Sequence, residues 1–401
     1  MSADMSAGPS SLPTTGVWAE LRGQEQVVEQ LRRAAQSGAP THAWLFTGPP
    51  GSGRSNAARA FAAALLCERE TLTERGCGAC KACRTVLAGT HADLTNVTTE
   101  KVTISIDEAR ELVRKAQDKP STGRWRIIIV EDADRMQERS TNVLLKAIEE
   151  PPPRTIWLLC APSPGDVLIT IRSRCRSVGL RLPPVQDVAD LLVTRDGIDP
   201  VTAEAAARAA QSHIGVAKRL ATDEGARERR NQIVRLPLTL RSVAGAMRAA
   251  ADLVKLAEAE AQSSFEQRDA EERAALLATL GAPETGTMPP SMRAQIRRLE
   301  EDQTRRAKRS KNDYFDRALT DLISFYRDVL MLQADADQPL VNEPLRPELE
   351  EFAQRESAED TLLRLEAINE VRTRLVSTNV SPLLAIEAMT VSLLSRKDLD
   401  R

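Results

Sequence analysis

The stretch Gly48-Pro49-Pro50-Gly51-Ser52-Gly53-Arg54-Ser55 decides how the rest of the chain is read. Its glycines let successive backbone N–H groups turn inward around phosphate oxygens, and a helix beginning behind it adds the positive end of its dipole. The setting suits the motif. Ala43-Trp44-Leu45-Phe46 is a short apolar run that reads as a buried strand, and the Ala-rich segment Ser55 to Leu66 reads as a helix. Ser55 is placed to reach Mg²⁺, but Arg54 stands where such a loop carries lysine. A guanidinium neutralises phosphate charge, yet its planar width does not fit the compact position of an ammonium between β- and γ-phosphates. The loop therefore predicts that binding of ATP or ADP, with Mg²⁺, survives better than hydrolysis.

Outward from the loop, apolar runs and helical segments alternate. Leu94 to Val97, Arg126 to Val130, Ile156 to Leu159 and Ser177 to Leu180 read as further strands. Val27, Val28 and Leu31 share one face of a helix on the N-terminal side. Ser105 and Glu108 have capping-box spacing and open another helix, and Thr141 to Glu150 is a third, stopped by Pro151-Pro152-Pro153. This alternation predicts a parallel sheet covered on both faces. Strand signals end near Leu182. A helical stretch follows to about Ala221, with turns expected around Gly197 to Pro200 and at Gly215. Beyond Arg241 the expected helices are Val243 to Leu280, Ser291 to Leu332 and Ala358 to Leu394, with a Pro/Gly/Thr-rich loop over Gly281 to Pro290. The predicted organisation is a tail over 1–16, a nucleotide-fold domain over 17–182, a helical lid over 183–240 and an all-α domain over 241–401.

The composition agrees with a globular chain of more than one domain. Of 401 residues, 42% are hydrophobic and 28% charged, and only 3% are aromatic, so Ala, Leu and Val must do most of the packing. A net charge of -2 supplies no global attraction to nucleic acid. The longest apolar runs are strand-sized, and the Ser/Pro/Gly/Thr-rich N-terminus lacks the apolar core of a secretory signal, which predicts a cytoplasmic protein.

Three further groups carry chemistry. Ile127-Ile128-Ile129-Val130 ends in Glu131-Asp132. A hydrolytic strand of this kind ends in an aspartate on the Mg²⁺ side, followed by a glutamate that polarises water. Here the order is reversed, and since catalysis tolerates displacements of only about an ångström, the reversal adds to Arg54 in predicting weak hydrolysis. A plain solvated acidic strand end is the alternative. Second, Cys67, Cys77, Cys80 and Cys83 follow C-x9-C-x2-C-x2-C. Four thiolates so spaced can close a tetrahedron around a structural Zn²⁺, and disulfides are disfavoured in a reducing compartment. Cys160 and Cys175 lie apart and read as core thiols. Third, Ser173-Arg174-Cys175 is weak on spacing alone, and the basic run Arg305 to Lys311, preceded by Glu300-Glu301-Asp302, reads as a partly balanced, solvated helix face, with contact to DNA phosphates as the alternative.

Taken together, Gly23-Gln24-Glu25, the phosphate loop, the four-cysteine insertion, Leu144-Leu145-Lys146 with Glu149-Glu150-Pro151-Pro152, and Ser173-Arg174-Cys175 resemble the AAA+ clamp-loader subunits of bacterial DNA polymerase III, over about residues 17–221. The resemblance implies an α/β AAA+ domain, a helical lid and an all-α collar through which subunits form a ring. It implies that Arg174 is a finger directed at a neighbouring subunit's ATP, and that Lys218, with Arg219 beside it, stands near the position of the lid's phosphate-sensing arginine. It implies motor subunits (gamma/tau) and a delta subunit as partners, with the sliding clamp and primed DNA reached through the complex. The departures at Arg54, at Glu131-Asp132 and at Cys160-Ala161-Pro162-Ser163, where the motor has a polar run, point away from the ATP-hydrolysing motor. An ATP-hydrolysing motor subunit, and a zinc-containing nucleic-acid-binding protein with a vestigial phosphate loop, are the competing readings.

Overall fold

The computed structural model describes residues 15–97, 103–136, 138–263, 269–270, 272–274, 277, 290–377 and 380–395. The expected N-terminal tail up to residue 14 and the expected loop over 281–289 lie outside them. One compact unit ends at Thr222 and a second begins at Asp223, so the division falls within the stretch 183–240.

In the first unit five strands, β1 (Ala43–Thr47), β2 (Leu94–Val97), β3 (Arg126–Val130), β4 (Thr155–Ala161) and β5 (Arg176–Gly179), form a parallel sheet in the order β2-β3-β4-β1-β5. Each central strand is apolar along its whole length because both faces are covered. Alternation sorts the side chains. Trp44, Phe46, Ile127, Ile129, Ile156 and Leu158 pack on one side with α1 (Glu25–Gln36) and α2 (Arg54–Leu66). Leu45, Ile128, Val130, Trp157 and Leu159 pack on the other with helices α4 (Ile106–Gln117) and α5 (Glu138–Glu149). Between α2 and β2 lies the short helix α3 (Lys81–Leu87). Trp44 meets Phe61 of α2 edge-on, ring centroids 4.8 Å apart, which fixes the helix behind the phosphate loop against β1. The capping box at Ser105 is formed: its hydroxyl accepts from Glu108 N while Glu108 accepts from Ser105 N at 2.8 Å.

After the short α6 (Ile169–Arg172) and β5, the first unit closes with α7 (Val185–Asp196), α8 (Pro200–Ala209) and α9 (Ile214–Thr222). Gly197 caps α7 in the left-handed conformation, as a turn there requires. The expected turn at Gly215 lies earlier. Gly215 is inside α9, and the chain reverses at Gln211 and Ser212, whose φ angles are 50° and 63°. Polar side chains that tolerate the left-handed region take the place of glycine.

The second unit, among the described residues, is helical: α10 (Glu224–Thr239), α11 (Val243–Ser263), α12 (Pro290–Gln333), α13 (Arg346–Arg355), α14 (Ala358–Ser377) and α15 (Pro382–Ser392). Its core centres on Phe315, Phe325, Tyr326 and Phe352. Two expectations are corrected here. Ala358 to Leu394 is two helices, the second opened by Pro382 at its first turn, and α13 went unread because Pro344 and Pro347 resemble loop punctuation. Proline is at home in a first turn, where its missing N–H has no intrahelical partner.

Candidate nucleotide and metal sites

β1 delivers the chain into the phosphate loop, and α2 leaves it at Arg54 with Gly53 as N-cap (φ 85°). Gly51 has φ 88°, and a Cβ there would stand 2.7 Å from His213 Cα, so the turn before α9 sits directly on the loop. On another side Gln24, only 4% exposed, donates from Nε2 to Arg181 O at 2.5 Å and to Ser52 O at 3.5 Å. The loop is thus held from α1, from the end of β5 and from the α8–α9 turn. The Ser52 hydroxyl and Arg54 Nη1 are buried without a hydrogen-bond partner among the described residues. Buried polar atoms are rarely left so. Together with the N–H groups opening α2, they fit an anionic phosphate oxygen as the missing acceptor.

The acids at the end of β3 are differently placed. Glu131 Oε1 accepts from Arg59 Nη2 at 2.7 Å and from Asn96 Nδ2 at 2.8 Å. Burial opposes its ionisation, but these hydrogen bonds outweigh the burial and hold its carboxyl below the usual range. Asp132 lies 3.6 Å from Arg135 Nε. The third acid, Asp134, is raised by burial and by the charge of Asp132. Arg59 and Asn96 were not singled out from the sequence. Arg59 was findable, because it lies one helical turn beyond Ser55 on α2; Asn96 meets Glu131 only through sheet register.

Lys218 Nζ is 2.7 Å from Asp196 Oδ1, an ion pair between α9 and α7. Arg174 Nη1 donates to Thr170 O at 2.7 Å and to the Ser173 hydroxyl at 3.2 Å, while Nη2 pairs with Glu149 at the end of α5. Arg174 stays partly exposed beside Leu168 and Ile169, two large apolar side chains on the surface. The basic run lies on α12, where Lys311 pairs with Glu258 of α11.

The four cysteines come together. Their sulfurs lie within 4.8 Å of one another, with Cys67–Cys77 at 3.7 Å and Cys67–Cys80 at 3.9 Å. Cys77 Sγ accepts from Cys80 N and Cys80 Sγ from Cys83 N, both at 3.4 Å, the local bonds that turn short-spaced cysteines toward one centre. This cluster could hold a metal ion. A tetrahedron with metal–sulfur bonds of about 2.3 Å places its sulfurs about 3.8 Å apart. The lead-in segment docks on the module: Val17 N donates to Gly76 O at 3.0 Å, and the Trp18 ring lies against Gly76. Cys160 is fully buried in the core, and burial pushes the Cys175 thiol up to about 12.

Residues 23–184 match a family model described as DNA polymerase III, delta subunit. A DNA polymerase III subunit delta' of Pseudomonas aeruginosa is 32% identical over 213 residues, 53% of this chain and 64% of that protein. A subunit gamma/tau of Mycobacterium tuberculosis is 35% identical over 176 residues, 44% of this chain and 30% of that protein. A subunit tau of Escherichia coli is 32% identical over 171 residues, 43% of this chain and 26% of that protein. The chain therefore spans between about a quarter and just under two thirds of these relatives.

Proposed function

We propose a role for this chain from the premise that it belongs, through residues 23–184, to the AAA+ clamp-loader subunits of DNA polymerase III: it is the delta-prime subunit, which keeps a nucleotide fold but leaves hydrolysis to its neighbours. The observation that carries this reading is the pairing of both strand-end acids with arginines, Glu131 with Arg59 and Asp132 with Arg135. A carboxylate that polarises water must have a lone pair free for it, and both acids here are engaged by cations. The proposed nucleotide residues are Gly48 to Ser55; Lys218 is held by Asp196 and would join them only by leaving that carboxylate. Zn²⁺ is the proposed occupant of the cysteine cluster, with a structural role because four thiolates leave no open position.

In this reading the chain sits in a hetero-oligomeric ring with gamma/tau motor subunits and delta, in the cytoplasm, and acts on the sliding clamp and primed DNA through that ring. Arg174 is its catalytic contribution, lent to the ATP of a neighbour. The exposed Leu168 and Ile169 beside it supply apolar surface suited to a subunit contact. An arginine supplied in trans is worth about 10³–10⁵ in rate where it has been measured. Arg174→Ala in the reconstituted assembly is expected to lower DNA-stimulated ATPase at least tenfold in the site it serves, on the same scale, with the variant's own melting curve unchanged. Full ATPase in the mutant assembly would end the finger assignment.

A motor role is the second reading, favoured by the similarity to gamma/tau proteins. Single-turnover hydrolysis of ATP by the purified chain, free of other subunits, would establish it.

A further inference from the structure

A phosphate loop of this kind ordinarily works with Mg²⁺, held by the hydroxyl after the loop cation and by the acid at the end of the neighbouring strand. The corresponding groups here are Ser55 at the start of α2 and Glu131 at the end of β3. Glu131 Oε1 is already taken by Arg59 at 2.7 Å and Asn96 at 2.8 Å, and its side chain is only 12% exposed. The next acid, Asp132, is beside Arg135. Mg²⁺ demands near-octahedral oxygen ligands at about 2.0–2.1 Å and gives up its water reluctantly. It would have to strip Glu131 of its donors while standing beside a guanidinium. This donor set does not fit the ion.

We propose that Arg59 takes the place of the divalent cation in this site, so that the loop binds a nucleoside di- or triphosphate in metal-free form. The inference rests on the reading that the loop binds nucleotide. The sequence supplies the means at each point. Arg59 is one turn after Ser55 on α2 and projects along the same helix face. The extra methylene of Glu131 over aspartate lengthens its reach from β3 toward α2, and Asn96 on β2 holds the carboxylate from the other side. Arg54 brings a second guanidinium to the loop, with Nη1 buried and in need of an acceptor. Charges ordinarily shared among Mg²⁺, lysine and two acids are here shared between two arginines and paired acids. A polyphosphate then meets fixed positive charge that needs no metal. The absence of a metal to orient a leaving phosphate accords with a site that binds without turnover.

The test uses the full chain and a fluorescent ADP analogue, titrated once in excess Mg²⁺ and once in excess EDTA, with Mn²⁺ EPR as a second readout. (The zinc content is checked after EDTA exposure, so that loss of the cysteine-bound metal is not mistaken for an effect at the loop.) Metal-free binding predicts no tightening by Mg²⁺, an apparent affinity that weakens in excess Mg²⁺ as the cation sequesters nucleotide in solution, and no Mn²⁺ bound in the protein complex. Tightening by Mg²⁺ of about tenfold or more, with Mn²⁺ bound in the complex, overturns the proposal while leaving nucleotide binding intact. No binding in either buffer overturns the nucleotide reading itself. Arg59→Ala frees Glu131 and is expected to make binding respond to Mg²⁺ about tenfold. If that variant does not fold, the two wild-type titrations still decide.

Discussion

Around the cysteine module, four sulfurs supplied by residues 67–83 converge on one another, held by bonds from their own backbone. Around the phosphate loop, charged groups that the motif reading would leave for ligands have partners within the chain. Glu131 has Arg59, Asp132 has Arg135, Lys218 has Asp196, and Arg174 has Glu149. The difference is one of chemistry. Like groups at contact distance cannot satisfy each other, so a cluster of thiolates is stable only around a cation. Unlike groups at the same distance can, so a site built of acids and bases can close its charges internally. A spacing motif therefore transfers more securely when its donors are identical than when they are of opposite sign.

The largest effect should come from breaking the convergent site. Cys83 is fully buried and donates toward Ala63 O, tying the module to α2. If the proposed zinc occupies the cluster, Cys83→Ser is expected to abolish its binding and cost at least about 3 kcal/mol in urea unfolding, since metal binding and folding of such a module are one equilibrium. Trp18, docked on Gly76, should report the change in its fluorescence. Normal stability in protein shown to be free of metal would break the comparison at its first term.

The second test asks what an internally satisfied carboxylate is worth where no ligand is involved. Asp93 is fully buried and accepts from Ser121 N and Oγ, Thr122 N and Oγ1, and Gly123 N, at 2.5–2.9 Å. It pins the turn that leads into β3. Burial opposes ionisation, but the bonds from Ser121, Gly123 and Thr122 outweigh it and hold the carboxyl well below the ordinary range. Asp93→Asn is expected to cost about 2–3 kcal/mol, the scale of hydrogen bonds to a charged group. The sign with pH follows. A depressed folded-state value gives stability that is complete above the unfolded value of about 3.9 and is lost as pH falls below it. The gap between wild type and Asp93→Asn should therefore narrow in unfolding curves taken below about pH 4. A gap independent of pH would mean that shape, and not charge, holds the turn.

These internal pairs also mark how far the sequence could be read. β1, β3 and β4 were legible because apolar runs between turn signals encode them directly, whereas the short, largely polar edge strands β2 and β5 carry a weaker signal of the same kind. The cysteine cluster and the phosphate loop were legible because their members are close in sequence. Gln24 is different: it meets Arg181 across 157 positions, and no local pattern announces that contact. His213 on Gly51, and Asn96 on Glu131, are likewise products of topology. The long-range partners of a charged side chain decide whether it serves a ligand or the fold, and those partners are what a single sequence leaves out. α13 escaped for a local reason, the double meaning of proline as loop breaker and as first-turn residue.

Lys218 gives the smallest and sharpest test. By resemblance it belongs near the lid's phosphate-sensing position, yet its ammonium is 2.7 Å from Asp196. To reach a phosphate it would have to abandon a carboxylate that is mostly buried and also bonded by Arg195 at 2.6 Å. Because Arg195 would remain, the departure would not strand Asp196, so the exchange is a matter of modest energies. The lysine itself is half exposed, and a pair of that kind contributes about 0.5 kcal/mol. Lys218→Ala is expected to lower stability by about that amount and to leave ADP-analogue affinity within about twofold, because the pair, and not the phosphate, holds the side chain. A tenfold loss of affinity at unchanged stability would instead put Lys218 among the phosphate ligands. One of the four internally closed charges would then be open to nucleotide, and the contrast with the cysteine module would narrow to the acids of β3 and the pairing of Arg174.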